Sequence, residues 1–167
     1  MDFITTTRFN NKTLKENEEF RIKHNFTNEC IYGAPVKIKD EIPSLSNIYV
    51  IEMNNDKNQI IAIGLVKNCL RLDKNFNIYQ DGTYNRFIYS GKLRITREEL
   101  VNKNKIIIDS LEKVLFKGYT HVKRGHGIQI LPLKHQISIR FDDESNLVNF
   151  FKNIFKEKKQ EIKCKNN

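Results

Sequence analysis

The sequence contains no tryptophan and only three cysteines and three prolines among its 167 residues. Cys30, Cys69 and Cys164 are far apart and form no C-x-x-C pair, so neither a disulfide framework nor a zinc knuckle is expected. The best apolar run, residues 60–66, is much shorter than the ~20 residues of a membrane helix, and Met1-Asp2-Phe3 lacks the pattern of a secretory signal. We therefore expect a soluble intracellular domain, cytoplasmic or nuclear, with no membrane partner, no metal and no cofactor.

Motifs of the common enzyme classes are also missing. Neither phosphate-binding pattern, G-x-x-x-x-G-K-[ST] or G-x-G-x-x-G, occurs, and there is no G-x-S-x-G. Two E-x-K matches, at 157–159 and 161–163, lie in a polar helical tail, whereas a nuclease site would place its carboxylates on neighbouring strands. The sequence therefore favours a binding protein over an enzyme.

Positive charge is concentrated in one internal stretch. The net charge is +9, and residues 86–140 hold 12 Lys/Arg against four Asp/Glu, whereas residues 1–85 hold 11 of each. A basic stretch attracts polyanions through counterion release, and nucleic acid is the usual partner. We therefore predict that DNA or RNA binds here. The alternative is a Lys-rich surface that reflects AT-rich codons and binds nothing anionic.

The first half of the chain predicts an arm followed by a hairpin. Residues 1–30 are polar with scattered Phe, which is typical of a loose N-terminal arm that packs its aromatic rings on the core; a strand or a short helix within it stays open. Residues 48–53 and 60–66 are rich in β-formers and are joined by a polar turn, so they predict a buried hairpin. Gly64, inside the second strand, indicates a bulge or a close backbone approach.

The second half predicts a further hairpin, two helices and closing strands. Residues 84–89 and 92–95 form the hairpin, and a capping box at Thr96 and Glu99 begins a helix over 97–117. Strands are expected at 128–133 and 135–141. A final helix begins near Ser145.

These elements predict a single α+β domain over residues 31–158, with 159–167 as a frayed basic tail. We expect a bent, mostly antiparallel sheet or small β-barrel, with helices near 97–117 and 145–158 as its two main flanking helices. The sequence does not indicate an oligomeric state.

Residues 123–127, Lys-Arg-Gly-His-Gly, are the most distinctive local segment. Two glycines let the backbone approach a ligand, and the cations suit a phosphate. His121 and His126 could instead act as acid and base in phosphodiester cleavage, but no carboxylate is near them in the sequence to orient either ring. We expect this loop to contact phosphate.

The candidate binding residues come from the basic stretch and from tyrosines around it. We predict nucleic-acid contacts from Arg86, Lys92, Arg94, Arg97, Lys123, Arg124, Gly125, His126 and Gly127. Base stacking is predicted for Tyr32, Tyr84, Tyr89 and Tyr119, because aromatic rings stack bases while cations hold the backbone. Five of the cations, Arg86, Arg94, Arg97, Lys123 and Arg124, are expected to share one surface.

A bend at Gly33, a buried hairpin ending at 60–66, a second hairpin with Arg94, a capped helix and closing strands follow one another between residues 30 and 141. This order is similar to that of the PUA-like barrels, which include the ASCH, EVE and YTH domains. The resemblance implies a barrel whose central strands are 48–53 and 60–66, with a cleft beside them for RNA or a modified base. EVE and YTH domains commonly build that cleft with tryptophan, so Tyr or Phe would have to replace it here.

We conclude from the sequence that a nucleic-acid-binding domain, with a pocket for a base or modified nucleotide, is the favoured function. Two alternatives stay open. One is a nuclease or nucleotide-processing enzyme that uses His121 and His126. The other is a viral protein-interaction domain, located in a viral factory or virion, whose positive charge is incidental.

Overall fold

The computed structural model describes residues 1–139 and 146–165. Its strands are β1 (Asp2–Phe9), β2 (Cys30–Ala34), β3 (Asn47–Asn54), β4 (Gln59–Lys67), β5 (Phe87–Gly91), β6 (Leu93–Thr96) and β7 (Gln129–Ile130). Its helices are α1 (Asn11–Lys23), α2 (Arg97–Phe116), α3 (Leu133–Ile137) and α4 (Leu147–Lys165), with a short 3-10 turn at Gly82–Asn85. The α+β class expected from the sequence is confirmed.

Two sheets organise the chain. The larger has the strand order β6-β4-β3-β1-β7, in which β1 and β3 are parallel and the other neighbours are antiparallel. The smaller is an antiparallel β2–β5 ribbon. Within residues 1–139 and 146–165 the larger sheet is not closed into a barrel, since β6 and β7 are its edges.

The two faces of β3 belong to two different cores. Tyr49, Ile51 and Met53 pack with residues of α2 and α4. Ile48 and Val50 pack on the other face, with residues of the β2–β5 ribbon. Alternate side chains of a strand point to opposite faces, so the sheet is the middle layer of three. The buried hairpin predicted for 48–66 is confirmed as β3 and β4.

The N-terminal segment is not loose, because residues 2–9 form an interior strand of the larger sheet; the strand or short helix that the sequence left open for 1–30 is present as β1 and α1. β1 pairs with β3 along all eight residues, from Asp2 opposite Asn47 to Phe9 opposite Asn54. Its centre is a threonine run, and Thr5, Thr6 and Thr7 are all buried. Threonine is a β-former although it is polar, which is why a search for apolar runs misses this strand.

Helix α2 begins as predicted. Thr96 accepts from the Glu99 backbone N–H while the Glu99 carboxylate accepts from the Thr96 N–H, the reciprocal bonds of a capping box. The final helix, α4, continues to Lys165, so residues 159–165 are helical and not frayed.

Two strand predictions are wrong. Residues 84–95 do not form a hairpin, because β5 pairs with β2 whereas β6 pairs with β4. The predicted strand at 135–141 is replaced at its start by α3, and residues 140–145 lie outside the described part of the chain. Of the strand predicted at 128–133, only Gln129–Ile130 pairs.

No described helix is long and apolar enough to cross a membrane.

Candidate functional site

A cavity of about 470 Å³ lies where the end of β1, the start of α1 and the 3-10 turn meet. Its volume is within the roughly 300–1,000 Å³ typical of small-molecule sites. We call it the Tyr84 cavity. The lining residues are Thr7, Arg8, Phe9, Asn10, Lys12, Thr13, Glu16, Gly33, Asn55, Tyr79, Asp81, Tyr84 and Gly127.

Aromatic rings form part of the lining. Phe9 and Tyr79 are buried, while Tyr84 is only half-buried and meets Tyr79 edge-on, with ring centroids 6.3 Å apart and planes at 74°. The position of Tyr79 is fixed by a hydrogen bond, which its hydroxyl accepts over 3.1 Å from Nδ2 of the buried Asn17. Asn17 is itself fixed by Arg21, whose Nε donates to Asn17 Oδ1 over 3.0 Å. The cavity therefore has a rigid tyrosine and a more accessible one.

Gly33 allows the 3-10 turn to approach the ribbon. A Cβ atom at this position would lie 2.1 Å from the backbone oxygen of Tyr84 and 3.1 Å from Cε2 of Tyr79. Both contacts are closer than ordinary van der Waals contact between heavy atoms. The absence of a side chain at Gly33 thus sets the position of Tyr84 against β2.

Helix α1 supplies a second wall. Asn10 caps it, accepting from the Thr13 backbone N–H over 2.8 Å, while Thr13 Oγ1 accepts from the Asn10 N–H over 3.0 Å. Lys12, in the first turn, donates to Gln80 Oε1 over 2.7 Å and so links the helix to the segment before the 3-10 turn. Glu16 follows one turn later on the same face.

The 123–127 loop reaches the cavity from the opposite side. Arg8 donates from Nη1 to the Lys123 carbonyl over 3.4 Å and from Nη2 to His126 Nδ1 over 3.0 Å. Asn55 Nδ2 donates to the same carbonyl over 2.8 Å. Gly127, with φ of +67°, lines the cavity and lies against Ala34, where a Cβ would be 3.1 Å from the alanine Cβ. The basic loop is therefore attached to the cavity by backbone-directed hydrogen bonds.

Two carboxylates complete the lining. Asp81 caps the 3-10 turn, and its Oδ1 accepts from the N–H and the hydroxyl of Thr83 over 3.0 and 2.6 Å. These hydrogen bonds lower the pKa of Asp81 from its ordinary value, so the group is ionised at neutral pH. The Glu16 carboxylate makes no hydrogen bond or ion pair within the described part of the chain. The cavity thus combines two cations, two carboxylates and aromatic walls.

A charged network is buried between the sheet and the ribbon. Arg94 binds both carboxylate oxygens of Glu52, over 2.9 and 2.7 Å, and Tyr32 donates its hydroxyl hydrogen to Glu52 Oε1 over 2.7 Å. The Glu52 side chain is 2% exposed and that of Arg94 is 10% exposed. Cys30 is buried beside them, and burial raises the pKa of its thiol to about 12. None of these four residues lines the cavity.

The predicted five-cation surface is wrong at Arg94, because that side chain is in the core. Arg97 is paired with Glu112 and donates to the Ile60 carbonyl over 2.9 Å. Lys123 donates to Asn58 Oδ1 over 2.7 Å. Arg97 and Lys123 therefore both contact the start of β4 or the turn before it. Three further predicted cations are exposed: Arg86, Lys92 and Arg124.

Only one of the four predicted stacking tyrosines lines the cavity. That residue is Tyr84. Tyr32 and Tyr89 are 1% and 2% exposed, and the Tyr89 hydroxyl accepts from the Ile38 N–H over 3.0 Å. Neither buried ring can stack on a base. Tyr119 is fully exposed but is not part of the cavity. Within the 123–127 loop, Gly125 is half-buried and Gly127 is buried.

The two histidines considered for catalysis make no contact with a carboxylate among the described residues. His126 Nδ1 accepts from Arg8, since a guanidinium can only donate. His121 Nδ1 accepts from the Lys123 backbone N–H over 3.3 Å. Both rings therefore have structural partners, Arg8 of β1 for His126 and the Lys123 backbone for His121.

Several lining residues were not found from the sequence, namely Arg8, Lys12, Glu16, Asn55 and Asp81. They all belong to residues 1–85, where basic and acidic side chains are equal in number, so the net charge of this segment did not indicate a binding site. One local signal was present, because Asn10 and Thr13 have the spacing of a capping box.

The three cysteines are free, and no group of three or more potential metal ligands occurs in the described part of the chain. Comparison of the chain with protein-family models, with characterised proteins and with solved structures finds no match.

Proposed function

We propose that the protein binds nucleic acid and holds one nucleotide in the Tyr84 cavity. The observation that carries this proposal is that Tyr84 and Gly127 line the same concave site, and that Arg8 of the lining binds the Lys123 carbonyl and so places the 123–127 loop at its rim. Aromatic rings stack bases and cations bind the backbone in proteins that hold single strands. Arg8 and Lys12 place two cations on the lining, which Glu16 and Asp81 balance in formal charge.

The geometry favours a role in binding rather than in cleavage. Gly127 and Gly125 keep the loop backbone free of bulky side chains, and Arg124 is exposed beside them. Phosphate contacts position a nucleic acid, whereas a pocket for the base provides selectivity. The loop therefore supplies affinity and the cavity supplies discrimination.

The proposal includes a distant relationship to the PUA-like domains, with the open five-stranded sheet of this chain in the place of their barrel. Two features support it: the β3–β4 hairpin is buried at the centre, and the cavity lies beside the carboxyl end of the adjacent strand β1. In the PUA-like domains a cleft beside the central strands receives RNA or a modified base. Tyr84 would take the place of the tryptophan that EVE and YTH domains commonly use.

Binding of labelled single-stranded DNA and RNA, measured by fluorescence anisotropy, tests the proposal. Loss of a base–aromatic stack of about 1–3 kcal/mol predicts that Tyr84→Ala weakens binding about 5- to 150-fold. Tyr119→Ala is the matched control, because it removes a tyrosine that is fully exposed and outside the cavity.

Circular dichroism spectra of both variants establish that they are folded. Equal affinities of the two variants would contradict the assignment of the cavity. The absence of binding to any oligonucleotide by the wild-type protein would contradict the function itself.

A further inference from the structure

The cations that line the Tyr84 cavity already have protein partners. Arg8 donates to the Lys123 carbonyl and to His126, and Lys12 donates to Gln80. These hydrogen bonds hold both side chains along the cavity wall. Some of the N–H groups of Arg8 and Lys12 therefore already donate to protein acceptors, so fewer donors remain for a ligand.

The hydrogen-bond acceptors that line the same cavity make fewer hydrogen bonds to the protein. Glu16 has no hydrogen bond or ion pair among the described residues, and Asp81 uses Oδ1 for Thr83 while Oδ2 has no partner there. Asn55 Oδ1 is buried without a partner within those residues. The orientation of this amide is fixed, because its Nδ2 must face the Lys123 carbonyl.

A buried polar group without a partner is costly, and among these acceptors this applies to Asn55 Oδ1. Glu16 is half-buried and Asp81 is exposed, so their unpaired oxygens are accessible to a ligand that brings hydrogen-bond donors. A carboxylate has two oxygens and binds best to two parallel N–H groups. Guanine has this arrangement, with N1–H next to the 2-amino group.

The other bases match a carboxylate less well. Adenine and cytosine place one amino group next to a ring nitrogen acceptor, which a carboxylate repels. Uracil and thymine have a single N–H between two carbonyl oxygens. Resting on the proposed function, we infer that the Tyr84 cavity selects guanine, with Glu16 accepting from N1–H and the 2-amino group while Tyr84 stacks on the ring.

Glu16 suits this role by its position. It lies on α1 one turn after Lys12 and lines the same cavity as Tyr79 and Tyr84. A base stacked on Tyr84 would present its edge to the α1 wall, where Glu16 is free to accept.

The experiment compares uridine-rich RNA octamers that differ at one central base: guanine, hypoxanthine or adenine. A good bidentate pair is worth about 1–3 kcal/mol, so guanine should bind about 5- to 150-fold more tightly than adenine. Hypoxanthine keeps N1–H but lacks the 2-amino group, and its affinity should be intermediate.

Glu16→Gln should remove the preference for guanine over adenine, measured as the ratio of the two affinities in the same variant, because glutamine has only one acceptor oxygen. Glu18→Gln is the control, since Glu18 is an exposed residue of the same helix that does not line the cavity. Equal binding of the three octamers, or a guanine preference that survives in Glu16→Gln, overturns the inference.

Calorimetry with GMP and AMP separates this inference from the proposed function. If the octamers bind equally but Tyr84→Ala weakens all of them, nucleic-acid binding stands and guanine selection fails. If GMP binds through Glu16 and no octamer binds, guanine selection stands and the nucleic-acid function fails. If neither nucleotide nor octamer binds, both are overturned.

Discussion

Arg94 and Glu52 form a two-point ion pair inside the protein, with Nη2 2.7 Å from Oε2 and Nε 2.9 Å from Oε1. Glu52 is an acidic residue in a strand whose neighbours are all buried, and Arg94 comes from the edge strand β6. The pair connects two strands that are separated by β4. Tyr32 adds a third strand, because its hydroxyl donates to the same carboxylate.

Removal of the arginine should destabilise the fold strongly. Arg94→Met leaves the Glu52 carboxylate buried without its cation, and breaking a buried pair in this way costs about 3–5 kcal/mol. Urea unfolding at pH 7 measures the loss. Lys105→Met is the matched control, since it breaks an exposed pair with Asp109 on α2 that is worth less than about 1 kcal/mol. Similar losses in the two variants would contradict the structural role of Arg94.

The same pair predicts opposite pH responses in the wild type and the variant. Burial alone would raise the pKa of Glu52, but the charge and hydrogen bonds of Arg94 and the Tyr32 hydroxyl outweigh it and lower the pKa from the ordinary 4.5. In the wild type the pair therefore stabilises the fold above about pH 4.5, and this contribution is lost as the pH falls through the lower folded pKa.

In Arg94→Met, the charge and both hydrogen bonds of Arg94 are lost, and the smaller effects of Tyr32 and of the Arg21 charge remain. We expect burial to outweigh them, so that the folded pKa of Glu52 lies above its unfolded value. Protonation of Glu52 as the pH falls then stabilises the folded variant, because the buried carboxyl group loses its unpaired charge. The difference in unfolding free energy between wild type and variant should shrink between pH 7 and pH 4. Urea titrations at pH 7, 5.5 and 4 measure this difference, and a constant or growing difference would rule out the explanation.

Local patterns predicted the β3–β4 hairpin and the start of α2 correctly, because both depend on residues close in sequence. Gly64 inside β4 predicts a bulge or a close backbone approach, and the structure shows a close approach, because a Cβ there would lie 2.0 Å from the Tyr32 hydroxyl. The hairpin predicted for 84–89 and 92–95 requires a turn at residues 90–91, yet Gly91 is in a strand, where its Cβ would be 1.8 Å from the Leu65 carbonyl oxygen. That contact is between distant residues, so no local pattern could reveal it.

The candidate site was only partly visible in the sequence for a related reason. Regional charge drew attention to residues 86–140 and identified the 123–127 loop, but it also selected Arg94, which is neutralised by Glu52. A glutamate within an apolar strand was the available signal, because a buried charge requires a partner. Arg8 and Lys12 line the cavity but belong to residues 1–85, which have no net charge. Counting charges over a long segment therefore cannot identify them as binding residues.

Gly33→Ala should displace the wall that carries Tyr84. The added Cβ would lie 2.1 Å from the Tyr84 carbonyl oxygen, so the 3-10 turn must move away from β2. We expect weaker oligonucleotide binding together with a lower melting temperature. Gly82→Ala is the control within the same turn, since a Cβ there meets nothing within 4 Å. Unchanged binding by Gly33→Ala would mean that the position of Tyr84 does not matter for the ligand.

The last prediction concerns the cations of the 123–127 loop. Arg124 is exposed, and Lys123 uses one of its three N–H groups for Asn58 Oδ1 over 2.7 Å, so both can reach phosphate oxygens. The slope of log Kobs against log salt concentration counts the phosphate charges that a protein neutralises. Replacing Lys123 and Arg124 together by Ala should therefore reduce the magnitude of that slope by about 2.

Phosphate contacts carry no base information, so the double variant should weaken binding to the guanine and adenine octamers by the same factor. A Lys105→Ala, Lys163→Ala variant loses the same net charge from exposed positions outside the cavity and controls for long-range attraction. Its slope should stay close to that of the wild type, because screening limits charges that make no direct contact. If both double variants reduced the slope equally, the positive charge would act as a diffuse field, and the loop would have no specific role in holding the nucleic-acid backbone.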